Sequence, residues 1–405
     1  VNKNRTYTSK ILWVLAGAQI IAGLAQGVSF SMGSLLAAEI GGTAWGGAGA
    51  TITTLGGAIW ALLLARTAIK SGRRPALTLG MTLAVFGAIL AFTAAHTGVL
   101  AVLLVGFFLL GGATAVGLQT RFVASDVSNE ENRGRNLSLI MWSTTIGAVI
   151  GPNLFGVTEA IGSALGFAQY AGAYFVVALL QLVAIALIQV GLRPDPMQKQ
   201  VQKQEQEQAG TNKQHAPKLH APTWLAIGMI AVAHASMVAI MAMTPVHMTG
   251  HGASLTIIGI TISAHVAGMY ALSPVFGVLA DKWGRVPTVL LGFAMQALSA
   301  LLLIVSPTSQ IASVSALILL GLGWSAALVG SSALLVDVTP KEHRAFAQGR
   351  SDFVMSLVGA GGGALAGPVV SAAGMPALAS IALVFLIAAT TAVIIMNRRI
   401  RAVQG

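Results

Sequence analysis

The fold class predicted from the sequence is an all-α integral membrane protein, with twelve transmembrane helices in two six-helix bundles. Three observations predict it. The chain is 55% hydrophobic and only 9% charged. Apolar runs of about 20 residues recur along its whole length, each long enough to cross a bilayer. Charged signatures of the first half return in the second half at a constant offset, as an internal duplication requires.

The apolar runs place the spans at 11–32, 45–65, 76–96, 99–121, 136–157 and 168–190 in the first half. In the second half they fall at 224–248, 256–278, 287–305, 311–335, 349–372 and 377–396. The first run follows a polar, basic stretch, Val1-Asn-Lys-Asn-Arg5, and is long enough to span, so no cleavable signal peptide is expected. Between the sixth and seventh spans the pattern breaks into Gln198-Lys-Gln-Val-Gln-Lys-Gln-Glu-Gln-Glu-Gln208. Such a segment cannot bury a core and reads as a flexible connection. The predicted organisation is an N-terminal bundle over 1–190, a linker over 191–222 and a C-terminal bundle over 223–405.

The net charge of +11 would suggest nucleic acid in a soluble protein. Here the spans place all 23 Lys and Arg residues on one side of the membrane. The positive-inside rule makes that side cytoplasmic, with both termini inside, and leaves no role for nucleic acid. The expected setting is a bacterial inner membrane. There is no Cys, so disulfides and thiolate metal sites are excluded. No Walker loop, nucleotide fingerprint or nucleophile motif is present, so a secondary carrier is expected and not an enzyme. No permanently bound cofactor is expected, and the protein is expected to be a monomer in the lipid bilayer.

The repeats are specific. Ser71-Gly72-Arg73-Arg74-Pro75 returns as Trp283-Gly284-Arg285-Val286-Pro287, with 212 residues from Gly72 to Gly284. Asp126-Val-Ser-Asn-Glu-Glu-Asn-Arg133 returns as Asp337-Val-Thr-Pro-Lys-Glu-His-Arg344, with 211 residues from Asp126 to Asp337. Gly277-Val-Leu-Ala-Asp281-Lys-Trp-Gly284-Arg285 resembles the G-x-L-A-D-R-x-G-R loop motif of the major facilitator superfamily. That resemblance implies the two-bundle facilitator fold and a gating role for Asp281, Gly284 and Arg285. The first copy departs from it, with Ile69 where the Asp should stand.

Soft metal ligands concentrate in spans seven and eight. Residues 229–269 hold ten of the chain's 22 Met and His residues. Met237 and Met241 are spaced i, i+4, as are His265 and Met269, so each pair shares one face of a helix. At about 100° per residue, His234, Met237, Met241 and Met248 fall at roughly 0°, 300°, 340° and 320°. Thioether sulfur and imidazole nitrogen suit a soft ion such as Cu(I). Ionisable groups within a membrane are costly and usually functional, which singles out His265. Met237, Met241, His265 and Met269 are the candidate metal ligands near mid-membrane. His234, His247, Met248 and His251 are accessory candidates, the last three near the outer mouth. Protonation of His265 would compete with a metal ion.

These two motifs resemble those of the CcoA-like (CalT) branch of the superfamily, which carries M-x-x-x-M in span seven and H-x-x-x-M in span eight. The resemblance implies import of copper as transported substrate, supply of copper for cbb-type cytochrome oxidase assembly, and copper chaperones on either side as candidate partners. It points first to Met237 and His265. A rival reading is a multidrug/proton antiporter exporting apolar solutes, suggested by Gly147-Ala-Val-Ile-Gly151-Pro152. It predicts a membrane-embedded carboxylate, whereas all 12 acids fall near span ends or in loops. A third reading takes a metal complex or small organic solute, with Gln19, Gln26 and Gln119 as hydrogen-bonding groups. The same glutamines also suit ties between helices.

Overall fold

A computed structural model describes residues 2–126, 133–193, 195, 219–340 and 343–404. The long Gln-rich stretch of the predicted linker lies outside the described residues. The helices of the first half are α1 (Asn2–Gly41), α2 (Ala48–Ser71), α3 (Arg73–Thr97), α4 (Leu100–Asp126), α5 (Arg133–Ile150), α6 (Phe155–Ala164) and α7 (Ala171–Gly191). Those of the second are α8 (Ala221–Gly250), α9 (Leu255–Tyr270), α10 (Ser273–Lys282), α11 (Arg285–Val305), α12 (Gln310–Val338) and α13 (Arg344–Gln404).

Ten stretches of the described residues are long and apolar enough to cross a membrane. Two regions depart from single straight spans. The last stretch, Phe346–Ile395, holds two expected spans that part where Gly374 takes φ 79° ahead of Pro376. The fifth expected span is broken by Gly151-Pro152 into α5, a 3₁₀ turn at Gly151–Leu154 and α6. Large apolar side chains lie outward: Val190 is 74% exposed, Ile311 80% and Leu365 66%. A protein surrounded by water would bury them; a lipid-facing surface need not.

Backbone contacts divide the chain into two compact units. Unit 1 comprises Val1–Leu36 and Ile52–Gln214, and unit 2 comprises Ala37–Thr51 and His215–Gly405. Within unit 1, α3 packs on α4 and α7. Within unit 2, α8 packs on α13 and α12, while α12 also carries α11 and α9. Small residues make these approaches possible, because packing rather than water expulsion holds helices together in lipid. A Cβ on Gly147 would lie 2.1 Å from the Ile20 carbonyl oxygen, and one on Gly23 would lie 2.5 Å from that of Thr144. The Gly147–Pro152 motif therefore serves close packing of α5 on α1.

The repeated loop has the same backbone in both copies. Gly72 takes φ 100°, ψ 170° before α3, and Gly284 takes φ 102°, ψ 160° before α11. Only glycine occupies that region without strain. The side-chain ties differ. In the second copy Asp281 pairs with Arg285, whose Nε donates to Asp337 at 3.1 Å. In the first copy Ile69 points outward, 65% exposed. There Asp195, following α7, accepts the backbone N–H groups of Arg73 at 3.2 Å and Arg74 at 2.9 Å. It caps α3 from across the bundle, supplying what a local N-cap residue would.

Replacing Asp195 with Ala should therefore cost about 1 kcal/mol of stability. Ile69→Ala should stay within about 0.5 kcal/mol of the parent. Thermal unfolding of the detergent-purified protein checks both, and equal melting of the two variants would contradict the cap.

Candidate functional site

The expected ligand pairs sit on intact helical turns of unit 2. Met237 is 3% exposed on α8, and Met241 is half-buried one turn on. His265 is fully buried on α9, and Met269 is 8% exposed one turn later. The two helices touch each other only lightly; both rest on α12. The two candidate pairs are thus set on a common third helix.

Span eight is not continuous. It is interrupted at Ala271–Leu272, one residue after the turn bearing Met269. Pro274 lies in the first turn of α10 and has no N–H to carry the ladder through. Ser273 Oγ donates to the Met269 carbonyl at 3.1 Å and lies 3.0 Å from Ser325 Oγ on α12. Irregular backbone at membrane depth is tolerated where protein or a cavity covers it, and broken helices commonly line transport sites.

Partner chemistry fixes the tautomers of the histidines. A carbonyl oxygen only accepts, so a ring nitrogen bonded to one must carry hydrogen. His265 Nδ1 lies 2.8 Å from the Leu317 carbonyl and therefore donates to it. Its Nε2 keeps a lone pair, buried with no hydrogen-bond partner. A histidine that anchors one nitrogen on a carbonyl and presents the other is arranged as metal-binding histidines are. Gly321 makes this possible: a Cβ there would lie 2.3 Å from the His265 carbonyl oxygen and 3.2 Å from its Nδ1.

His234 is arranged the opposite way. Trp324 Nε1–H donates to His234 Nδ1 at 3.1 Å. An indole only donates, so that nitrogen's lone pair is spent and the proton of the neutral ring sits on Nε2. The ring also lies over Gly359, where a Cβ would fall 2.8 Å from Nε2. The accessory ligand expected at His234 is therefore a partner for Trp324 in this arrangement. Met248 is 1% exposed, His247 half-buried and His251 exposed. The rings of His247 and His251 lie side by side, tilted, with centroids 4.4 Å apart. Among the described residues, no group of three or more His, Asp or Glu side chains is placed to hold a metal ion.

The sequence placed a span at 311–335 but gave no sign of the role of α12 in the site. Leu317, Gly321, Trp324 and Ser325 fall at helical spacings of four, three and one along it. They meet His265, His234 and Ser273, and Trp324 also stacks edge-on with Tyr270 at 5.9 Å. It also missed Gln296, fully buried on α11, which donates to the Ala233 carbonyl at 3.0 Å. A Trp and three glycines in one apolar span were the available signal.

In unit 1 the three glutamines act as ties. Gln19 bonds Thr120, Gln26 bonds Thr114 at 2.9 Å, and Gln119 accepts from Arg73 at 3.2 Å. Gln26 also lines a small cavity with Ser29, Phe30, Phe107 and Gln181. The Oε1 of Gln181 is buried there without a partner.

A profile of the Major Facilitator Superfamily matches residues 15–251 and 225–402. The chain belongs to the Major Facilitator Superfamily. This facilitator is 34% identical over 377 residues to the MFS-type transporter YddS of Bacillus subtilis (strain 168), covering 91% of this chain and 86% of that one. It is 33% identical over 386 residues to the MFS-type transporter YdeG of the same organism, covering 94% and 90%. It is also 26% identical over 285 residues to the riboflavin transporter RfnT of Brucella anthropi, covering 70% and 69%. A bacterial homologue of the human lysosomal transporter Spinster shares the fold, with a TM-score of 0.72 at 14% identity and 97% of each chain covered. The facilitator is thus an integral membrane transporter.

Gly321→Ala should push α9 off α12 and cost about 1–3 kcal/mol, the usual penalty of overpacking. Gly228, on α8 with nothing within 4 Å of an added Cβ, is the control. Gly228→Ala should leave stability unchanged or raise it by up to about 1 kcal/mol. Unfolding midpoints in detergent check the pair.

Proposed function

We propose that this facilitator imports copper across a bacterial inner membrane by alternating access, with both termini cytoplasmic, and supplies it for cbb-type oxidase assembly. Met237, Met241, His265 and Met269 are the proposed transport site. The observation that carries the reading is the buried, unpartnered Nε2 of His265, held in its ligand tautomer by the Leu317 carbonyl. Uncharged thioethers and a neutral imidazole suit a soft monovalent cation without fixing a negative charge in the membrane. The break beside Met269 supplies a segment able to change shape as the ion is released. The basic residues of the chain, all on one side of the spans, support the orientation. Asp281, Gly284 and Arg285 are the proposed gate, tied to the end of α12 through Asp337.

A second reading has a specific observation behind it. RfnT is named as a riboflavin transporter, and Gln26 and Gln181 offer amide groups to an uncharged organic solute in unit 1.

Uptake of radioactive copper and of labelled riboflavin, in cells lacking their own importers, separates the two. Copper uptake by the parent should fall at least tenfold in both Met237→Leu and His265→Ala at matched expression, about the 1.4 kcal/mol that tenfold represents. Riboflavin uptake without copper uptake would replace the copper reading with the second. Uptake of neither, with the protein folded in the membrane, would overturn both.

A further inference from the structure

The adjacent pair of histidines at the end of α8 repeats the logic of His265 twice over. His247 Nε2 lies 2.6 Å from the Pro307 carbonyl, so it carries hydrogen and donates. His251 Nδ1 lies 2.8 Å from the His247 carbonyl and donates likewise. The nitrogen left on each neutral ring, Nδ1 of His247 and Nε2 of His251, is a lone-pair donor. The residues are one helical turn apart, with ring centroids at 4.4 Å and planes inclined at 52°. Two backbone carbonyls thus hold two adjacent imidazoles in ligand tautomers, as the outer partners of metal-bound histidines do.

We propose that His247 and His251 form a two-imidazole docking site for a borderline divalent transition-metal ion. Imidazole suits such ions, and Cu(II) should bind most tightly of the first-row series. Water would complete the coordination, since His251 is exposed at the C-terminal end of α8. The site lies at the opposite end of α8 from the linker, and its ring nitrogens belong to that helix alone. It holds whether or not the Met237/His265 set carries copper. Its chemistry differs from that set: two nitrogens and water favour a divalent ion, three thioethers and one nitrogen a monovalent one.

The test is Cu(II) binding to the untagged, full-length protein in detergent, followed by electron paramagnetic resonance. His247→Gln and His251→Gln keep an amide N–H for each carbonyl while removing the ligand nitrogen. The parent should bind one more Cu(II), with nitrogen hyperfine structure, than the His247→Gln/His251→Gln double variant. Each single variant should weaken that ion at least about tenfold. Met237→Leu/His265→Ala should leave the signal intact, which separates this site from the membrane-embedded one. Equal Cu(II) binding by the parent and the His247→Gln/His251→Gln protein, both melting alike, would overturn the proposal. So would a signal lost with Met237 and His265 but kept without His247 and His251.

Discussion

The hydrogen bond from His265 to the carbonyl of Leu317 is the interaction on which the candidate site depends. In hydrocarbon no water can satisfy a ring N–H, so the protein must supply the acceptor. A helix carbonyl already bonded along its own ladder has a second lone pair to offer, but the side chain four residues on usually shields it. At Leu317 that later residue is Gly321, which has no side chain. The missing Cβ lets α9 approach α12 and opens the carbonyl to His265. One glycine therefore sets a helix contact and the tautomer of the candidate ligand. The same face of α12, three and four residues beyond Gly321, holds His234 through Trp324 and the start of α10 through Ser325.

The two halves of the facilitator have kept a backbone and changed its chemistry. Gly72 and Gly284 still open α3 and α11 with the same dihedral angles. In the second copy exposed Asp281 and Asp337 and half-buried Arg285 link successive helix ends, and near-surface pairs of this kind are each worth under about 1 kcal/mol. Such weak ties are easily made and broken. In the first copy the loop acid is lost, and buried Asp195 holds the α3 end through two backbone N–H groups. The first half is fastened where the second is left able to exchange partners.

Much of the fold was legible because membrane spans announce themselves by length and composition. The repeats exposed the duplication through rare charged residues at matched spacing. Glycine and proline decide the local form of two spans: Gly151-Pro152 divides the fifth, and Pro274 follows the break in the eighth beside Met269. The placement of the Met237/Met241 and His265/Met269 pairs on single helical turns was legible because i, i+4 spacing on a helix is a local property. The role of α12 was not, because no periodicity reveals that a carbonyl on one helix orients an imidazole on another. His234 shows the same limit. Its place on the stripe with Met237 and Met241 was readable, but the indole that takes its lone pair lies 90 residues away.

In the proposed site, His265 Nε2 and the sulfurs of Met237, Met241 and Met269 bind one soft ion together. X-ray absorption at the copper edge of the Cu(I)-loaded protein reads that shell, in a His247→Gln/His251→Gln background that removes the α8 pair. The expected shell is dominated by sulfur with one imidazole nitrogen, losing sulfur in Met237→Leu and the nitrogen in His265→Ala. A shell of oxygen and nitrogen only, unchanged by either substitution, would contradict it.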